Sequence, residues 1–303
     1  MTGSDHSEGL LAGYRATLKA VEVEEILDLF LYRPLAYGLV RIVLPTRITP
    51  DQITFISLLL GLAAGVGYAT GTVEGLRWGA LLLFLTNTVD CADGMLARLR
   101  GGGSLTGYVF DGLVDYTTNT AVLVGMLVGL GATGTPPAFI WLVGVPGGLS
   151  YAWWSAMVDR FRNEWLGRVY GKRSDPAAEV AAMEATLATY PPGTHRWDRI
   201  LVGAYGLYAR LWYSAPGTVA HRALADVPLA EWQQARRPVM RTAVLFGPTF
   251  HLSLMMLAGA LDQVAAYLWF SLVVGTGWGG AVLLWRRVVD RRLLGRLPEG
   301  ASH

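Results

Sequence analysis

The sequence predicts an all-α polytopic membrane protein, with six transmembrane helices and an amphipathic N-terminal helix lying along the interface. Three observations carry this. Hydrophobic residues make up 52% of the 303-residue chain and charged residues only 16%, whereas soluble domains carry about 25% charged residues. The mean hydropathy is +0.37. Apolar runs on the order of 20 residues, long enough to cross a bilayer, recur near 51–71, 77–98, 105–131, 137–158, 242–261 and 264–285.

Residues 1–48 form a cytoplasmic or interfacial segment. Its start lacks the basic residues, apolar run and small-residue cleavage site of a secretory signal. Within it, VEVEEILDLFLYRPLAYGLVRIVL (22–45) alternates charged and apolar positions at helical period, with Arg33, Arg41 and an internal Pro34. That pattern suits a helix in the plane of the interface better than a further span. In TRITPDQIT, which follows, Pro50, Asp51 and Thr54 are placed to begin the next helix. Residues 49–158 hold four spans. Residues 159–241 form a cytoplasmic insert with charged runs such as DRFRNEW and GKRSD, the breaker YPPGTH, and helical stretches near 176–189 and 198–213. Residues 242–286 hold two more spans, and 287–303 form a cytoplasmic tail.

An even number of spans puts both termini on one side. Of the 25 Lys and Arg residues, only Arg77 adjoins a loop on the far side (72–76, 132–136 or 262–263). The positive-inside rule therefore places both termini and the insert in the cytoplasm. A net charge of +2, without a basic patch, gives no sign of a nucleic-acid partner, and none is expected. The one cysteine, Cys91, rules out an internal disulfide and a cysteine metal cluster. It reads as a small filler on a helix.

Residues 90–115, DCADGMLARLRGGGSLTGYVFDGLVD, place four aspartates in otherwise apolar helical sequence. A carboxylate at membrane depth is costly and marks function. Asp90 and Asp93 lie about 60° apart around one helix, and Gly94 stacks one turn beyond Asp90. Gly107, Asp111 and Asp115 recur every four residues on the next helix, and GGGS at 101–104 makes a tight turn between the two. The two stripes therefore face each other in an antiparallel hairpin. Grouped carboxylates repel unless cations neutralise them, and oxygen ligands without His or Cys select Mg²⁺, Mn²⁺ or Ca²⁺. A one- or two-metal site follows, suited to displacement at phosphorus. Arg98 is placed to pair with a phosphate, and Gly94 and Gly107 let a nucleotide approach the backbone. The helical rise from Asp90 to Arg98 spans about 12 Å, so the site opens to the cytoplasm.

Written as spacing, the stretch is D-x2-D-G-x2-A-R-x8-G-x3-D-x3-D, carried by Asp90, Asp93, Gly94, Ala97, Arg98, Gly107, Asp111 and Asp115. Every fixed position of the signature of the CDP-alcohol phosphotransferase (CDP-alcohol phosphatidyltransferase) family is matched, and the chain resembles these integral-membrane enzymes. The resemblance implies that Asp90, Asp93 and Asp111 bind one or two Mg²⁺ or Mn²⁺ ions. It makes Asp115 the catalytic base, within reach of a metal. Gly94, Ala97, Arg98 and Gly107 would line the CDP site. The family's Pro-Asn-x-(Val/Ile)-Thr start to the first span sits near the nucleotide; Pro50 and Thr54 match it, with Asp51 in place of Asn.

The reaction implied is attack of an acceptor hydroxyl on the phosphate of a CDP-alcohol, forming a phosphodiester in phospholipid biosynthesis and releasing CMP. CDP-diacylglycerol with a phosphorylated polar acceptor is the expected pair; a CDP-linked head group with diacylglycerol is the alternative. Membrane lipids are expected partners, and the resemblance implies a homodimer. An intramembrane prenyltransferase would need a second aspartate pair, and 159–303 holds no D-x3-D. A transporter would not require Gly94, Ala97, Arg98 and Gly107. Elsewhere the residues read as packing. His251 is a hydrogen-bonded core residue. Thr86, Asn87, Thr88 and the 116–120 stretch bond between helices, and Arg160, Arg162, Arg236, Arg237 and Arg241 set topology.

Overall fold

The computed structural model describes residues 13–14, 22–171, 176–191, 193–213, 224 and 226–295, with no strand among them. The expectations for the remainder of 1–21 and for 296–303 lie outside the described residues. Helix α1 (Arg33–Val43) continues a π-helical turn at Asp28–Tyr32. It buries Ala36, Val40 and Val43 against Met95 and Leu96, while Phe30, Leu35 and Ile42 stay exposed. Several charges of this segment turn inward: Glu24, Glu25, Asp28 and Arg33 are buried, while Arg41 is exposed. Arg33 pairs with Glu24 and Arg162 with Glu25, both at 2.8 Å. Glu24, Glu25 and Arg33 thus face protein, while Phe30, Leu35 and Ile42 face outward together with Arg41.

Helix α2 (Pro50–Ala69) starts on a reciprocal cap. The Gln52 amide donates to the Thr49 hydroxyl at 3.3 Å and the Thr49 amide to the Gln52 side chain at 3.0 Å, which satisfies two orphan donors. Pro50 occupies a first-turn position that needs no N–H. α2 lies against both α3 (Val73–Leu99) and α4 (Gly107–Ala132). Small residues permit the close approach. A Cβ at Gly65 would stand 2.7 Å from the Ala121 carbonyl oxygen, one at Gly79 3.0 Å from that of Ala64, and one at Gly125 would fall on the Gly65 carbonyl. The turn between α3 and α4 uses Gly101 at φ +80° and Gly102 at φ +147°, values that side chains rarely adopt. The Gly102 amide closes it on the Ala97 carbonyl at 2.9 Å.

Next come a single turn at Pro137–Phe139, a π-helical turn at Ile140–Gly144 and α5 (Val145–Tyr170), then α6 (Pro176–Ala188) and α7 (Arg196–Tyr213) in the insert. The chain continues with α8 (Leu229–Leu245), α9 (Pro248–Ala260), α10 (Val264–Phe270), a π-helical turn at Ser271–Gly275 and α11 (Thr276–Leu294). Among the described residues, five stretches are long and apolar enough to cross a membrane: Pro50–Ala69, Val73–Leu99, Gly107–Ala132, Leu229–Ala260 and Val264–Leu294. The expected span at 137–158 is helical but not among the five. Pro146, Gly147, Gly148, Tyr151, Trp153 and Trp154 replace the aliphatic side chains that would make it sufficiently apolar.

The span expected at 242–261 also differs: it begins at Leu229 and breaks at Gly247, whose backbone is extended (φ −75°, ψ −176°) ahead of Pro248. The Glu25 carboxylate then accepts the amides of Thr249 (3.2 Å) and Phe250 (2.9 Å), capping the new helix where its dipole favours negative charge. Beside this break, Trp154, Trp165 and Trp232 form an aromatic core joining α5, α8 and α11. Arg236 pairs with Asp290 at 2.6 Å and Arg286 with Glu164 at 2.7 Å. Arg162 and Arg236, expected to set topology, are therefore half-buried and buried partners in ion pairs.

Candidate active site

The α3–α4 hairpin brings Asp90, Asp93 and Asp111 together, with one carboxylate oxygen from each within 4.8 Å of the others. Asp93 is buried, while Asp90 and Asp111 are half-buried. Three carboxylates this close repel one another in a low-dielectric setting, and a divalent cation relieves that cost. Hard ions take oxygen ligands at about 2.0 to 2.6 Å, and the trio is compact enough to converge on one. Asp115 lies one turn further along α4, exposed, and is not one of the three.

Thr54 sits behind the trio. Its hydroxyl donates to Asp93 Oδ2 at 2.5 Å and also lies 3.1 Å from the Pro50 carbonyl oxygen. The residue is 3% exposed, so it touches the aspartate from within the α2–α3 interface. Gly94 leaves room for Arg98, whose Nη1 would be 3.4 Å from a Cβ there. At Gly107 a Cβ would meet Ser104 Oγ at 2.9 Å and Asp51 Oδ1 at 3.0 Å. Asp51, at the position where the resembling family has Asn, thus places its side chain beside a signature glycine. Ala97 adjoins the tight turn, its Cβ 3.8 Å from a Cβ built on Gly103.

Two supports carry no sequence signal. Arg100 donates to the carbonyls of Ile48 (2.5 Å), Thr46 (2.9 Å) and Leu44 (3.3 Å), pinning the loop before α2 to the end of α3. Thr106 is buried at the start of α4, yet its hydroxyl caps nothing in that helix and donates to Asp198 Oδ1 of the insert at 2.5 Å. That bond, with a lesser contribution from His195 Nδ1 at 2.9 Å, holds the Asp198 carboxyl below the usual range.

Other polar residues fall into packing roles. Thr86 and Thr88 donate to the Leu82 and Phe84 carbonyls of their own helix at 2.8 and 2.9 Å, and Thr117 and Thr118 to those of Leu113 and Asp115. These hydroxyls thus bond back along the helix rather than across to a neighbour, because a carbonyl one turn back is always in reach. His251 is buried, 3.3 Å from the Tyr267 hydroxyl. Cys91 packs among apolar side chains.

The sequence pattern of the CDP-alcohol phosphatidyltransferase family matches residues 47–190. Those residues belong to that family. The CDP-alcohol phosphatidyltransferase segment contains α2 to α6, and with them the aspartate trio, Thr54 and both signature glycines. Among curated relatives, the chain is 35% identical over 88 residues to a bifunctional IPC transferase and DIPP synthase of Rubrobacter xylanophilus, covering 29% of this chain and 20% of that protein. It is 33% identical over 82 residues to a phosphatidylinositol phosphate synthase of Corynebacterium glutamicum, covering 27% and 36%. An archaetidylinositol phosphate synthase of Methanothermobacter thermautotrophicus is 35% identical over 94 residues, covering 31% and 44%. The chain thus spans less than half the length of each of these relatives.

Proposed function

We propose that this protein is a metal-dependent CDP-alcohol phosphotransferase that transfers a phosphatidyl group from CDP-diacylglycerol to the hydroxyl of a phosphorylated polyol. Inositol phosphate is the first acceptor to test. The observation that carries the reading is the convergence of Asp90, Asp93 and Asp111 within a segment of this family. The similarity to phosphatidylinositol phosphate synthases supports the acceptor class.

Asp90, Asp93 and Asp111 would hold Mg²⁺ or Mn²⁺, one ion or two. The bound metal would neutralise phosphate oxygens and the charge that develops on the leaving group. Asp115, not one of the trio, takes the proton of the attacking hydroxyl. The acceptor oxygen forms a bond to phosphorus, the bond from phosphorus to the cytidylate breaks, and CMP leaves. Arg98 pairs with a donor phosphate, and Gly94, Ala97 and Gly107 keep the cytidine side of the cleft open. Thr54, assigned to the nucleotide site by family resemblance, acts there through Asp93. A shallow, open depression on α2 and α4 is lined by Leu62, Tyr116, Thr117, Thr120, Ala121 and Val124. In this reading 137–158 is a sixth crossing, the site faces the cytoplasm together with both termini, and the enzyme works as a homodimer.

Calorimetry of CDP binding tests the nucleotide half of the reading. Binding in Mn²⁺ that disappears in EDTA is expected; binding indifferent to metal rejects the aspartate trio as its centre.

A further inference from the structure

We infer that the α6–α7 hairpin of the insert is a clamp that fixes the first turn of the catalytic helix α4, with Asp198 as its positioning residue. Two contacts, one on each side of Gly107, carry this. On one side, the Thr106 hydroxyl donates to Asp198 Oδ1 at 2.5 Å. On the other, the Tyr108 ring meets Tyr205 edge-on, with centroids 6.2 Å apart. Thr106 is 3% exposed, so its hydroxyl would lose a buried partner without Asp198.

The hairpin is built to hold that aspartate still. His195 Nδ1 lies 2.9 Å from Asp198 Oδ2, the Tyr205 hydroxyl donates to Glu179 at 2.8 Å, and Arg199 donates to the Leu187 carbonyl at 2.8 Å. Leu187 and Val202 are buried between the two helices. A threonine at a helix start ordinarily caps its own helix. Here that hydroxyl is given to the insert, so the setting of α4, and of Gly107 and Asp111 along it, depends on a segment remote in sequence. The clamp bears on donor binding more than on the chemical step, because it grips the glycine beside the nucleotide rather than Asp115.

This rests on the function proposed above, and one set of variants separates the two. In the full-length protein, Thr106→Val, Asp198→Ala, their combination, and Thr106→Ser are compared by CDP binding in Mn²⁺ and by hydrogen exchange of amides 104–112. Each of the first two variants is expected to weaken CDP binding about fivefold, the scale of one lost hydrogen bond. The combination should be no weaker than either alone, Thr106→Ser should restore binding, and exchange at 106–110 should rise in both. KM for the donor should increase more than kcat falls. Unchanged exchange and binding in both single variants, or strictly additive losses in the combination, would overturn the clamp. If the parent protein fails to bind CDP, the nucleotide reading falls, and the exchange data alone decide the clamp.

Discussion

Thr54 and Asp93 share a 2.5 Å hydrogen bond across the α2–α3 interface, with both side chains buried. The bond joins the capped start of α2 to the aspartate at the centre of the trio. A ligand carboxylate fixed from behind is better aimed, and removing such a support costs roughly 10-fold to 100-fold in metal affinity or activity. Thr54→Val should therefore weaken Mn²⁺ binding about 10-fold, as measured by electron paramagnetic resonance. Thr54→Ser, which keeps the hydroxyl, should restore it. Equal Mn²⁺ affinity in the valine variant would mean that the bond does nothing for the metal.

Asp115 is not one of the three converging aspartates, and the proposed function gives it a different task in a division of labour. Asp115→Asn should abolish turnover while leaving CDP binding closer to normal than Asp90→Asn does. Matched loss of binding in the two variants would show that no such division exists.

Close packing of α2 on α4 sets the hairpin in place. Gly125→Val puts a side chain onto the Gly65 carbonyl, whereas Gly112, on the same helix, has open space around its Cβ. The first change should destabilise the protein by ~3 kcal/mol, at the upper end for overpacking. Gly112→Ala should be neutral or slightly stabilising, since alanine is the better helix former. Thermal unfolding in detergent distinguishes them, and similar midpoints would contradict the packing argument.

Burial raises Glu25 from an ordinary 4.5 to about 7, despite the opposing effect of Arg162 and the two amides it caps, and Asp28 beside it adds to the rise. Asp28 is itself raised by burial. Between those two values the folded protein holds a proton that the unfolded chain has released. The stabilisation is fully present at low pH and is lost as pH rises through about 7. The unfolding midpoint should fall from pH 5.5 to pH 8, and this slope should flatten in Glu25→Gln. An equally steep slope in that variant would assign the effect to another group.

The membrane helices and the aspartate pairing were legible because both are local. Long apolar runs announce spans, and the spacings within 90–115 place Asp90, Asp93 and Asp111 on facing stripes before any tertiary contact is known. Thr54 was legible only by resemblance, and its partner was not, because nothing local links it to a residue 39 positions away. The inward turn of Glu24, Glu25 and Arg33 was hidden for a related reason: periodicity tells which residues share a face, but not whether lipid or protein covers it. Thr106 and Asp198 lie 92 residues apart in segments with no shared pattern. The helix at 137–170 shows the converse limit, since length supports a span while its tryptophans and glycines dilute the apolar signal.

The measurement that bears most directly on the central claim is CMP release by the purified protein from CDP-diacylglycerol, across a panel of polar acceptors that includes inositol phosphate. The account predicts release with a phosphorylated polyol in Mg²⁺ or Mn²⁺, none after EDTA, and none from Asp115→Asn. Release that persists in EDTA, or that survives in Asp115→Asn, would contradict it.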